Sequence, residues 1–201
     1  MKHFTKAVCI VDTCSIINLD DVMLAKHDVL HYMRLYFDVH VCSAIKEELL
    51  RHKRLVSSHE VTYWNRFLSS NTFTPNTLID DCRDIGPFYG SPPKSYGAKN
   101  AGEHGNTRVA LELLLSRRTG HTIFITDDEK AVNGFLTNVS YCFPGINIWT
   151  SADVILYLGA VLLKENKTDY ESIRSALRDV YAAGANKWGE RTSGEKSKLI
   201  T

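Results

Sequence analysis

This 201-residue chain has no cysteine pair of metal-site spacing, no membrane-length apolar run and no dominant sign of charge. Each absence removes a class of protein. The five cysteines, Cys9, Cys14, Cys42, Cys82 and Cys142, are odd in number and include no C-x-x-C. That argues against a disulfide framework or a cysteine zinc site, and for reduced, buried small hydrophobes in a cytoplasmic protein. No stretch approaches the roughly 18 consecutive apolar residues of a membrane span, and the first residues lack the charged, apolar and cleavable parts of a secretory signal. No membrane partner is expected. A formal net charge of +1 leaves nucleic acid open, because a balanced total can combine a basic face with an acidic pocket. No internal repeat is present.

What the chain does have is 44% apolar residues, enough at this length to bury one substantial core with an appendage. Val8 to Val11 form a continuous apolar run, the pattern of a strand covered on both faces, and the chain passes directly into Asp12 and Thr13. Asp20 and Asp21 offer N-caps for a helix through about Phe37, with Val22, Ala25, Val29, Met33 and Tyr36 at helical spacing. "DVHVC" reads as a second strand, Ser43 as the cap of a helix "AIKEELLRHKRL", and 58–68 as a third helix. Residues 71–102 dissolve into a Gly-, Pro- and aromatic-rich loop insertion, long enough to suggest a lid or binding segment.

Order resumes with the helix "AGEHGNTRVALELLLSRR". The apolar strand "TIFIT" follows and stops at Asp127 and Asp128, and "INIW" is a last strand. Thr150 or Ser151 caps the helix "ADVILYLGAVLLK". Strands alternating with helices predict an α/β fold, a central parallel sheet with right-handed crossovers. The expected division is a domain over 1–164, then an amphipathic helix with Tyr170, Ile173, Leu177 and Tyr181 on one stripe and a flexible polar tail over 165–201.

In such a sheet, ligands bind beyond the carboxyl ends of the strands. Asp12 ends one strand and Asp127 with Asp128 ends another; Glu48 and Glu103 sit in early turns of helices. Any one of these acids has an ordinary explanation as a cap or as compensation of a helix dipole. Together they form an oxygen-rich cluster that repels itself unless a cation fills it, and a hard ion such as Mg²⁺ or Mn²⁺ suits carboxylates without His or Cys partners.

The segments "IVDTCSIINL", "IKEELL", "GEHGNTRVALELL" and "IFITDDEKA" resemble, in order and at similar intervals, the PIN-domain nucleases, above all the small prokaryotic branch that includes VapC-like toxins. The likeness covers about residues 7–163. It implies a Rossmann-like three-layer fold and an acidic Mg²⁺ or Mn²⁺ site that hydrolyses phosphodiester bonds, usually in RNA. By this resemblance Asp12, Glu48, Glu103 and Asp128 are the catalytic acids. Asp12, Glu103 and Asp128 hold the metal, Asp127 assists, and Thr13 and Thr126 support the site. The sequence departs from the family pattern at Cys14, where Ser or Asn is usual, and at Gly105, where a second glutamate is common.

A nucleic-acid substrate needs positive charge near the acids. Arg51, Lys53 and Arg54 follow the Glu48 helix, and Lys94, Tyr96 and Lys99 lie on the loop leading to Glu103. Lysine and arginine suit phosphates, and Tyr96 suits base stacking. A receiver domain would need an acidic pair at the first strand, and a haloacid-dehalogenase-type phosphatase would need an aspartate where Cys14 stands. The expectation is therefore a metal-dependent endoribonuclease, toxin-like or acting in host defence. DNA is the alternative substrate, and a catalytically silent binding or scaffold module the alternative class. An antitoxin-type inhibitor, another accessory protein or a second copy of the chain would be its protein partner.

Overall fold

The computed structural model describes residues 6–20, 22–42, 45, 48–49, 72–73, 102, 105–106, 109–110, 113, 121–132 and 144–187. Its elements are β1 (Ala7–Val11), α1 (Thr13–Leu19), β2 (Met23–Leu24), β3 (His27–Asp28), α2 (Val29–Tyr36), β4 (Phe37–Val41) and β5 (Thr72–Phe73), followed by β6 (Thr122–Ile125), α3 (Glu129–Ala131), β7 (Ile146–Trp149), α4 (Ser151–Lys164) and α5 (Tyr170–Lys187). The main sheet runs β5-β4-β1-β6-β7, and every pairing in it is parallel. This is the expected α/β architecture. The apolar runs land where burial demands: Cys9, Ile10 and Val11 are fully buried in the central strand, and Phe124 and Ile125 beside them in β6. Among the described residues no helix is long and apolar enough to cross a membrane. Cys9 and Cys42 are buried and Cys14 is half-buried, and none of these three is in a disulfide.

The helix expected over Asp20 to Phe37 is corrected. Asp20 instead ends α1, and β2 and β3 form a small antiparallel hairpin through Ala25, whose φ is +59°. Helix α2 starts only after Asp28, whose carboxylate accepts from the His31 amide at 2.7 Å. The cap that decides the start lies one hairpin later than the periodicity suggested. The hairpin buries Leu24 fully, which helical continuation from Asp20 would not require of it. A second correction concerns the loop insertion: Thr72 and Phe73 pair with His40 and Val41 as a short edge strand. The third helix and the rest of 74–101 lie outside the described residues, as do Ser43 and the tail beyond Lys187.

At the carboxyl end of β7, Thr150 caps α4 through a reciprocal capping box. Its hydroxyl accepts from the Asp153 amide at 3.3 Å, and the Asp153 carboxylate accepts from the Thr150 amide at 2.8 Å. Helix α5 packs on α4, α1 and β2 of its own chain. Its buried stripe is Ile173, Ala176 and Val180, whereas Tyr170 and Tyr181 of the expected stripe face solvent. Helix α5 comes close to α4 at Ile173.

Gly159 of α4 sets that approach. A Cβ there would meet Ile173 Cδ1 at 2.7 Å and Cγ1 at 2.8 Å, inside contact distance. Gly159→Val should therefore lower unfolding free energy by about 1–3 kcal/mol despite valine's better helix propensity. Urea midpoints would check this, and Ile173→Ala in the same chain should cost less than its single effect adds, a coupling expected only if the two residues touch.

Candidate active site at the sheet switch point

From β1 the chain departs toward β4 on one side and returns as β6 on the other, so the crevice beyond β1 and β6 is the topological switch point of the sheet. Both strands are extended past their ends by one ladder bond. The Asp12 amide donates to Ile125 O at 2.9 Å, and the Thr126 amide donates to Trp149 O at 2.9 Å. Asp12 and Thr126 are thereby fixed side by side by backbone, before any side-chain contact is counted.

Asp12 is 6% exposed and held by three donors. Its Oδ1 accepts from the Thr13 amide at 2.8 Å, and its Oδ2 accepts from Thr126 Oγ1 at 3.0 Å and Cys14 Sγ at 3.1 Å. Burial pushes its pKa above the ordinary carboxylate range. The bonds from Cys14, Thr13 and Thr126 oppose that shift, and the nearby Asp128 charge adds to it. Cys14 thus fills the hydroxyl's place as a donor. Burial first, and the Asp12 charge second, push its thiol pKa up, so it rests as a protonated donor and not as a nucleophile.

Thr13 links the second acid to the first, because its hydroxyl donates to Glu48 Oε2 at 2.6 Å. Glu48 sits on a helix whose Ile45 and Leu49 are fully buried. A Cβ on Gly102 would lie 3.1 and 3.2 Å from the two Glu48 carboxylate oxygens and 2.6 Å from Ile45 Cδ1. Glycine at 102 is what lets the backbone just before Glu103 close on Glu48. Glu103 itself lies outside the described residues, as do Arg51, Lys53, Arg54, Lys94, Tyr96 and Lys99.

The two adjacent aspartates have separate environments. Asp127 is engaged by four donors. Its Oδ1 accepts from the Ser151 amide at 2.9 Å, and its Oδ2 from Ser15 Oγ at 3.1 Å, Asn18 Nδ2 at 2.8 Å and Ser151 Oγ at 2.5 Å. It ties α1 to the first turn of α4, where an unpaired amide and the helix dipole both favour a carboxylate. Asp128 instead stays by the crevice. Its amide donates to Thr126 Oγ1 at 3.1 Å, the same hydroxyl that donates to Asp12, and its Oδ1 accepts from the Ala131 amide at 3.4 Å.

Sequence reasoning missed Asn106. Fully buried, it donates from Nδ2 to Val11 O at 3.1 Å and accepts at Oδ1 from the Cys42 amide at 3.3 Å, joining the ends of β1 and β4. Its position three residues after Glu103 in the helix expected from the sequence was the available signal. Ser15, Asn18 and Ser151 were missed likewise; their buried polar side chains all serve Asp127. Asn106→Ala should cost about 2–4 kcal/mol, since a buried carbonyl and a buried amide both lose this partner. Chemical denaturation would register that loss, and Asn106→Asp should be no milder because it sets a carboxylate against the Val11 carbonyl.

Among the described residues no three His, Cys, Asp or Glu side chains converge closely enough to hold a metal. The described acids of the crevice nonetheless suit a hard cation. The nearby Asp128 charge disfavours ionisation of Asp12, and the donor set is oxygen without histidine. No family model matches the chain, and comparison with curated proteins and with solved structures also found no match.

Proposed function

We propose that this chain is a metal-dependent endoribonuclease with a PIN-like acidic site. The observation that carries the reading is a buried carboxylate, Asp12, held by three donors at the switch point of a parallel sheet with a second acid, Asp128, beside it. A buried charge next to a like charge is costly in the protein alone and is offset by a bound cation.

In this reading Asp12, Asp128 and Glu103 hold Mg²⁺ or Mn²⁺. The ion would supply charge stabilisation at the scissile phosphate and acidify the attacking water. The chain's own contribution is preorganisation. Three donors fix the Asp12 carboxylate before substrate arrives, so it need not reorient. Thr13 ties Glu48 to the same corner, and we assign Glu48 the task of orienting the attacking water. Thr126 spaces Asp12 from Asp128 by bonding both. Arg51, Lys53, Arg54, Lys94 and Lys99 are assigned to substrate phosphates and Tyr96 to a base, so cleavage should weaken steeply with added salt.

The test is a time course on labelled single-stranded RNA, structured RNA and DNA, with Mn²⁺ and with EDTA. Endonucleolytic RNA products that require the metal support the proposal. Cutting of DNA alone would keep the chemistry and change the substrate. A folded protein that binds RNA, cuts nothing and takes up no Mn²⁺ would instead be a silent binding module.

A further inference from the structure

We propose that the groove between α2 and the α4–α5 connection is a second site, one that binds a nucleotide unit. The groove has a volume of about 390 Å³ and is lined by Lys26, His27, His31, Tyr32, Tyr36 and Lys167 among others. That is within the range of small-ligand sites. It is remote from the acidic crevice by construction. Helix α4 begins at the carboxyl end of β7 and runs 14 residues, about 21 Å, back along the sheet before reaching Lys167. Tyr36, at the end of α2, likewise leads into the amino end of β4.

The lining selects among ligand chemistries. His27 and His31 stack with ring centroids 4.3 Å apart and planes 24° from parallel, and Tyr32 meets both rings edge-on at 5.7 and 5.6 Å. His27 is exposed, so the stack is open to extension by one more flat ring. Bases stack on such platforms irrespective of sequence. Lys26 and Lys167 bring positive charge to the same groove. Lys167 is not a simple anion site, however. Glu165 Oε2 accepts from its ammonium at 2.6 Å and from the Tyr36 hydroxyl at 2.8 Å.

That carboxylate disfavours a bare anion such as inorganic phosphate, and the lysines disfavour a purely apolar ring. A planar base with one phosphate satisfies both. Lys26 then meets the phosphate, the histidine stack meets the base, and the Tyr36–Glu165–Lys167 cluster offers donors and an acceptor to the sugar or the base edge.

The nucleotide could come free or as part of a strand, and calorimetric titration separates the sources. The probes are AMP, GMP, CMP and UMP, a 2′-O-methyl hexanucleotide, and inorganic phosphate, all in EDTA with full-length protein so that cleavage cannot intervene. Binding of a mononucleotide, at least tenfold weaker in both Lys26→Ala and His27→Ala and unchanged in Asp12→Asn, supports a free ligand. The same pattern for the hexanucleotide alone supports a strand. Both altered residues are exposed, and unchanged melting temperatures would certify the fold. Binding to no probe up to millimolar concentration, undiminished binding in both variants, or phosphate binding as tightly as AMP would overturn the proposal. A failed nuclease assay leaves this result untouched, because binding is read without metal and in the Asp12→Asn chain as well.

Discussion

Asp12→Asn should reduce metal-dependent RNA cleavage by about 10²–10³-fold or more, the scale seen when one preorganised group that stabilises developing charge is removed. The same change should leave the metal-free protein as stable as the wild type or more so. Asp12 is almost fully buried, and the charge of the nearby Asp128 opposes its ionisation. Asparagine keeps the shape and one acceptor oxygen while removing the repulsion. The melting temperature in EDTA would therefore hold or rise as activity disappears. Added Mn²⁺ should then raise the melting temperature of the wild type and not of Asp12→Asn, because an ion that binds only the folded state stabilises it by mass action. A variant that melts earlier in EDTA, or one that still responds to Mn²⁺, would contradict the assignment of Asp12 as a ligand.

Adjacent aspartates should fail in opposite ways. Asp127→Ala removes the common acceptor of Ser15, Asn18 and both polar groups of Ser151, and it cuts the tie between α1 and the start of α4. A loss of about 3–5 kcal/mol is expected, since charge-assisted bonds are the strong ones and three buried polar side chains lose this acceptor. Asp128→Asn should do the reverse. Its side chain accepts the Ala131 amide at a long 3.4 Å, a contact asparagine retains, so stability should fall by far less than in Asp127→Ala while cleavage collapses. Denaturation curves and cleavage rates on the two variants would separate a structural clasp from a catalytic acid. Equal stability with equal loss of activity would return both residues to the site.

Much of this was legible in the residues themselves, and the misreadings have identifiable causes. β1, β6, β7 and α4 were readable because a buried strand needs an uninterrupted apolar run and a helix start needs a local cap, here Thr150 with Asp153. Cys14 stands where the family pattern has Ser or Asn, and only the tertiary structure shows its thiol near enough to Asp12 to donate. The long helix from Asp20 was misread because Val22, Val29 and Met33 keep helical spacing across the β2–β3 hairpin, and all three are buried. Nothing local in Ala25 announces a positive φ; the pairing of Met23 with Asp28 imposes it. β5 was invisible because two residues acquire strand character only by lying beside β4.

By itself the sequence determined the parallel α/β class, the strands that end in aspartate and the list of acids that could meet, since apolar periodicity and capping are short-range properties of the chain. Only the tertiary structure decided which of those acids meet and in what state. Whether a carboxylate is a clasp, as Asp127 is, or a buried charge facing another, as Asp12 is, depends on donors supplied by residues over a hundred positions away: Ser15 and Asn18 for the one, Thr126 for the other. Burial and partner geometry set the ionisation of an acid, and neither exists until the strands are side by side.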